Sequence, residues 1–170
     1  MSFSFIPQYA FRCVTDISAN FIKNLGIGFL MIDLDNTIAA YNENSPADEV
    51  KRWIDEMKSA GIDLFIISNS RRTTRVEAFS KILDIGFINK AYKPSPKAVL
   101  NAMTSANASA DNSALLGDQI LTDTLAANLA GITSIIVRPR MCSNLFLALR
   151  FFIEAPFRAA CKNKSEALYE

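Results

Sequence analysis

Histidine is absent from the 170-residue chain. That removes imidazole nucleophile pairs, Ser-His-Asp triads and imidazole metal sites, so any catalysis must run on carboxylates, hydroxyls and lysine. An excess of charge of either sign is also lacking. The 18 basic residues stand against 17 acidic ones, a net of +1, so no overall field marks a nucleic-acid partner. Cysteine is sparse: Cys13, Cys142 and Cys161 are an odd number at wide spacing with no CxxC, the pattern of free thiols in a reducing compartment. No run reaches the ~18 continuous apolar residues of a membrane span. The N-terminus has no basic region followed by a long apolar run, so no signal peptide is expected. What remains is the expectation of a cytoplasmic protein folding as a single domain over residues 1–170, since half of the chain is hydrophobic and its length can bury a core without staples.

The chain is organised around Phe29-Leu30-Met31-Ile32-Asp33-Leu34-Asp35-Asn36-Thr37. Four apolar residues after Gly28 read as a strand buried on both faces, ending in two carboxylates and a turn. Ligands of open parallel sheets collect at the carboxyl ends of the strands. Two acids placed there repel unless a cation or a proton lies between them.

Ahead of this strand, residues 1–8 form an aromatic-rich arm. Tyr9, Cys13, Ile17, Phe21 and Leu25 recur every four residues, which predicts a helix over 9–25 stopped by Gly26. After it, a short loop over 38–46 leads to Ser45 and Pro46, an N-cap and first-turn proline for a helix to about Ala60. Further strands are predicted at 62–67, 87–88, 114–116 and 133–137, separated by helices from about Arg72 to Leu83, over 96–105 and from Thr122 to Ala130. Alternation of this kind predicts an α/β fold: a doubly wound parallel sheet of about five strands as the catalytic core, 27–140, with flanking N- and C-terminal helices. Residues 141–170 form a basic amphipathic tail. From Arg138 to Lys164, six basic residues accompany one acid, Glu154, with Leu145, Phe146, Leu149, Phe152 and Ile153 at helical spacing. Such a segment suits either an anionic membrane surface or a last helix covering the sheet edge with its basic residues solvated.

Strand ends supply Asp33 and Asp35, then Ser68, Lys93, and Asp118 with Asp123. Singly, each has a plain structural explanation: a cap, a solvated lysine, a turn. Jointly they meet at one sheet edge, where acids so gathered call for a hard cation such as Mg²⁺. Lysine and a hydroxyl then suit phosphoryl oxygens.

In order along the chain, Asp33-Leu34-Asp35-Asn36-Thr37, Ser68, Lys93-Pro94 and Gly117-Asp118-Gln119-Ile120-Leu121-Thr122-Asp123 resemble the four motifs of haloacid-dehalogenase (HAD) superfamily phosphatases. The opening and closing motifs look like subfamily IIIA, closest to its YqeG and phosphatidylglycerophosphatase-like branch, and the resemblance covers nearly the whole chain. Tyr92 departs from it, standing where that branch has a basic residue. The resemblance implies a Rossmann-like HAD fold. Asp33 would be the nucleophile forming an aspartyl-phosphate, and Asp35 the acid for the leaving alcohol and then the base for water. Mg²⁺ would be held by Asp33, the Asp35 backbone carbonyl and Asp118, with Asp123 in support. Thr37, Ser68, Asn69 and Lys93 would form the phosphate side of the site.

Neither 38–46 nor 70–92 has room for a cap domain, so the enzyme is expected to be capless. An open site suits a large substrate, a lipid headgroup, or closure by another subunit of a homo-oligomer. Relatives in the resembling branch act on phosphatidylglycerophosphate, and a lipid phosphate would suit the tail through peripheral membrane contact. The alternatives are a phosphatase of soluble sugar, nucleotide or protein phosphates, a receiver-type phosphoacceptor, or an inactive HAD-fold binding protein. The receiver order, with its acceptor aspartate on a later strand, is not the order found here.

Overall fold

The structure, a computed structural model, describes residues 3–141 and 145–164. Strand β1 (Tyr9–Phe11) is followed by a 3-10 turn (Val14–Asp16) and α1 (Ala19–Asn24). Then β2 (Phe29–Ile32), α2 (Asp48–Ser59), β3 (Asp63–Ile67), α3 (Thr73–Leu83) and β4 (Gly86–Ile88) lead to α4 (Lys97–Ser105) and β5 (Ser113–Gly117). A π-helical turn (Ile120–Thr124) leads into α5 (Leu125–Ala130). The described residues end with β6 (Thr133–Val137), α6 (Leu145–Ala160) and β7 (Asn163–Lys164).

All the strand pairs are parallel, in the order β4-β3-β2-β5-β6-β1-β7. The chain builds outward from β2 through β3 to β4, then returns through α4 to β5 on the other side of β2. That doubly wound path puts β2 at the centre with a switch point beside it. Its side chains alternate between two cores, as a strand's period of two requires. Leu30 and Ile32 face a cluster with Val50, Ile54 and Met57 of α2 and Val76 and Phe79 of α3. Phe29 and Met31 face Val99, Ala102 and Met103 of α4 and Ala126 and Ala127 of α5. The α/β doubly wound architecture is thus as expected, and the core is capless: 38–46 is a short loop, and 70–92 hold α3 and β4.

Three local expectations are corrected. Among the described residues the sheet has seven strands rather than about five, because β1 and β7 extend it beyond β6. Residues 9–25 are therefore not one helix. Tyr9–Phe11 pairs with Ile135–Val137, Ala10 is buried, and Tyr9 and Phe11 both pack edge-on against Phe21. Those residues alternate between faces, and pairing with an existing sheet edge outweighs the four-residue spacing. The helix that does form starts later, with Ser18 as N-cap accepting from Phe21 N at 3.2 Å. Third, α2 begins at Asp48 with Ala47 as its N-cap, not at Ser45. The residues before it belong to a turn in which Ala40 N donates to Glu43 Oε2 at 2.8 Å. Trp53 ties α2 to the segment before β2 through Nε1, which donates to Ile17 O at 2.8 Å.

Cys13 is a free thiol, and the buried Cys161 thiol donates to Asn163 O at 3.4 Å. Cys142 lies outside the described residues, as do the side chains of Leu145 and Phe146. No helix among the described residues is long and apolar enough to cross a membrane.

Candidate active site

The register aligns the ends of three central strands: Ile32 sits between Ile66 of β3 and Leu116 of β5. Asp33 continues the ladder, its N–H donating to Leu116 O at 2.8 Å. Each following residue then lands at the carboxyl edge, where the sheet leaves backbone and side chains free for a ligand.

Lys93 joins the acids. Its Nζ lies 2.6 Å from Asp33 Oδ1 and 2.7 Å from Asp123 Oδ1, and donates to Ile67 O at 2.7 Å. The ammonium thus donates hydrogen bonds to Asp33 and Ile67 O and is ion-paired with Asp123. Asn69 does not face this centre through its amide. It clasps the Lys93 backbone instead, with Nδ2 donating to Lys93 O at 2.9 Å and Oδ1 accepting from Lys93 N at 2.8 Å. Ser68 is fully buried, and its Oγ accepts from Ser70 N at 3.0 Å. Thr37 Oγ1 sits 3.4 Å from both Asp33 Oδ2 and Asp118 Oδ1, bridging two strands' acids.

Asp33, Asp118 and Asp123 are buried, with an oxygen from each within 4.8 Å of the others. The electrostatics follow. Burial pushes the Asp33 carboxyl up to about 7; the nearby Lys93 works against that, while Asp123 and Asp35 add to it. Asp118 is likewise raised well above the ordinary range, first by burial and then by Asp33 and Asp123. Burial opposes the charge on Lys93, but Asp123 and Asp33 overcome it and raise its pKa. One lysine thus serves a surplus of carboxylate charge. The donor set is all hard oxygen, which fits a cation such as Mg²⁺. Asp123 reaches the cluster because Gly117 has no side chain: a Cβ there would run into the Asp123 carboxylate and its Cβ. The other Asp123 oxygen, Oδ2, accepts from Gln119 N at 3.0 Å, closing the π-helical turn.

The carboxylate of Asp35 points elsewhere. Its Oδ1 is 2.5 Å from Arg75 Nη1, and Arg75 also donates to Ala40 O and Glu43 O, each at 2.8 Å. Arg75 is 5% exposed and lies 5.0 Å above the Phe79 ring. Sequence reasoning missed it, taking α3 simply as a basic helix. The signal was its place beside Val76 and four residues before Phe79, on the helix's inward face. Also missed were Arg150, Glu154 and Arg158, whose four-residue spacing marks one helix face. The expectation of solvated basic residues on the tail is corrected for two of them: Arg150 and Arg158 both pair with the buried Glu154.

A cavity of ≈ 360 Å³ opens over the centre, lined by Asp33, Asp35, Tyr41, Lys93, Arg72 and Arg150 among others. Burial raises the Tyr41 hydroxyl's pKa, and the negative field of Asp35, Asp33 and Asp118 raises it further.

An acid-rich centre with an all-oxygen donor set at the carboxyl edge of a capless doubly wound sheet is the arrangement of a cation-assisted carboxylate enzyme. The model of the haloacid dehalogenase-like hydrolases matches residues 16–131. Over 168 residues the chain is 32% identical to a Bacillus subtilis (strain 168) protein named Probable phosphatase YqeG, spanning 98% of this chain and 96% of that one. The chain belongs to the haloacid dehalogenase-like hydrolases, and it is a phosphatase of that family. Its fold is shared with solved structures at lower identity. One is the cobalt-bound deoxy-D-mannose-octulosonate 8-phosphate phosphatase (YrbI) of Haemophilus influenzae, 19% identical with a TM-score of 0.57, covering 85% of this chain and 80% of that one. Another is the 3-deoxy-D-manno-octulosonate 8-phosphate phosphatase of Moraxella catarrhalis, in complex with magnesium, phosphate and KDO. It is 19% identical with a TM-score of 0.57, over 86% and 82% of the two chains.

Proposed function

We propose that the protein hydrolyses phosphomonoesters through an aspartyl-phosphate formed on Asp33, with Mg²⁺ held by Asp33, Asp118, Asp123 and the Asp35 backbone carbonyl. The observation that carries this reading is the separation of two acids within one turn. Asp33 faces Lys93, Thr37 and the acid cluster, while Arg75 holds Asp35 on the cavity wall.

In the first half-reaction, an Asp33 oxygen forms a bond to phosphorus as the bond to the leaving oxygen breaks. Asp35, acting in its protonated form, delivers that proton to the leaving oxygen, so that an alcohol departs. In the second, Asp35 takes a proton from water, the resulting oxygen bonds to phosphorus, and the Asp33 carboxylate is released with inorganic phosphate. Lys93 and Thr37 orient Asp33, Asn69 fixes Lys93 through its backbone, and Ser68 is assigned to the phosphate side of the site. A cation held there would supply positive charge that lets an anionic nucleophile and an anionic substrate approach.

The substrate we favour is a lipid phosphate such as phosphatidylglycerophosphate, met through peripheral contact of α6 with a membrane. Leu149, Phe152 and Ile153 of α6 are exposed, Phe152 by 75%, and Arg150 of the same helix lines the cavity. The apolar edge and the catalytic mouth thus share one helix. The open, capless site is equally suited to a sugar phosphate, the substrate class in the names of the structural neighbours above.

Hydrolysis of p-nitrophenyl phosphate and of phosphatidylglycerophosphate, with and without Mg²⁺, tests the reading beside Asp33→Asn. Mg²⁺-dependent turnover that vanishes in the variant is expected. Full turnover by Asp33→Asn would remove Asp33 as the nucleophile.

A further inference from the structure

Helix α6 lies beyond residues 16–131, which match the family model, yet it carries buried charge directed at the catalytic edge. Glu154 is 1% exposed. Its Oε1 accepts from Leu121 N at 3.1 Å and from Arg150 Nε at 3.2 Å, and its Oε2 from Arg158 Nη2 at 3.3 Å. Arg158 continues inward, donating to Val137 O at 2.9 Å and to the backbone carbonyl of Asp118. Arg150 Nη2 reaches Thr122 Oγ1 at 3.4 Å. Asp118, Leu121 and Thr122 all belong to the segment that carries the acid pair Asp118 and Asp123.

Apolar packing could have fastened this helix without the desolvation cost of three ionised groups. Instead α6 leaves Leu149, Phe152 and Ile153 exposed, and its contribution to the core includes Phe157, packed on Ala10, Ile120, Ile136 and Cys161. Buried charge is therefore directed at the loop that would supply two of the cation's carboxylates. Its two carboxylates lie against Asp33 and repel it and each other, so the loop needs backbone anchors to keep them converged.

We propose that Arg150, Glu154 and Arg158 are positioning residues that hold the Asp118–Asp123 loop in its cation-binding conformation. They act through the backbone at Asp118 and Leu121 and the hydroxyl of Thr122, and none of them touches the cation. The inference rests on the metal reading above, and its test separates the two.

Mg²⁺ is titrated calorimetrically into the metal-free full-length protein, for wild type, Asp118→Asn, Glu154→Gln, Arg158→Lys and Arg150→Gln. Circular dichroism and the thermal midpoint in chelator accompany each titration. Wild type is expected to bind Mg²⁺ and Asp118→Asn to lose it. Glu154→Gln and Arg158→Lys, still folded, should bind about tenfold more weakly, the usual scale for groups that orient metal ligands. Arg150→Gln, which removes the Thr122 contact and one bond to Glu154, should fall between them and wild type. No binding by wild type overturns the metal reading and this inference together. Binding by wild type with unchanged affinity in the α6 variants, whatever their thermal midpoints, overturns this inference alone and leaves α6 a structural clasp. If Glu154→Gln does not fold, Arg150→Gln decides by the same comparison.

Discussion

Arg75 of α3 holds the carboxylate of Asp35 across 40 positions of sequence, Nη1 to Oδ1 at 2.5 Å, and pins the loop at Ala40 and Glu43 with two further donors. One guanidinium therefore sets both the rotamer of Asp35 and the path of the chain that follows it. Asp33, two residues earlier, depends on Lys93 instead. The two acids of the turn have different custodians.

Replacing Arg75 by Lys or Met is expected to act through the leaving group. General acid catalysis contributes on the order of 10²-fold or more. Turnover of an alkyl phosphate should fall by about that factor in the variants, and turnover of p-nitrophenyl phosphate, whose leaving group scarcely needs a proton, by much less. Steady-state kinetics on the two esters checks this, and equal losses on both would mean that Arg75 does not act through Asp35. Removing the guanidinium also leaves a buried carboxylate unpaired, so a stability loss of about 3 kcal/mol is expected from denaturant titration of Arg75→Met.

Gly117→Ala should be costly for a reason visible in one contact. Its new methyl group would run into the Asp123 carboxylate. Overpacking of this kind costs about 1–3 kcal/mol, and relief requires Asp123 to move away from Lys93. Mg²⁺-dependent activity should drop with it. Full activity in Gly117→Ala would show that Asp123 is dispensable at its present position.

Metal-free protein should lose stability as pH rises. Asp33 has a folded pKa of about 7 against 3.8 for the ordinary group, and Asp118 is raised as well. In that window the folded state binds more protons than the unfolded one, so stability declines from about pH 4 through about pH 7. Thermal midpoints in chelator should show the decline, Mg²⁺ should flatten it by displacing the protons, and Asp118→Asn should weaken it. A chelated wild type whose carboxylate-linked stability climbs over this range, relative to Asp118→Asn, would contradict the crowding of acids described above.

Phe152→Glu, on the exposed face of α6, addresses the lipid reading. Co-sedimentation with anionic vesicles should fall several-fold while hydrolysis of p-nitrophenyl phosphate stays at the wild-type level. Unchanged co-sedimentation would remove this face as the membrane contact.

Much of the chemistry was legible in order along the chain, because motif residues follow strands whose apolar runs announce them. Phe29–Ile32 and Asp63–Ile67 are short, largely buried and bounded by turns; Asp33, Ser68 and Asp118 come directly after strands, and Lys93 five residues after Ile88. Gly26, Gly61 and Gly131, each with positive φ, end helices where expected. The N-terminal segment was not legible in the same way. Tyr9, Cys13 and Ile17 fit a helical period, and nothing local says that β6 offers an open edge to Tyr9–Phe11.

By itself, then, the sequence determined the α/β class, the central strand, and the carboxylates and lysine that meet at its end, because period and strand-end chemistry are local properties. Tertiary structure alone decided that Arg75 serves Asp35, that Asn69 serves Lys93, and that Glu154 joins α6 to the Asp118 loop. Each of those pairs couples residues 24 to 40 positions apart. A charged side chain gives the same local signal whether it ends in water or against a buried partner. Only the packing of α3 and α6 against the sheet removes the water and selects the partner.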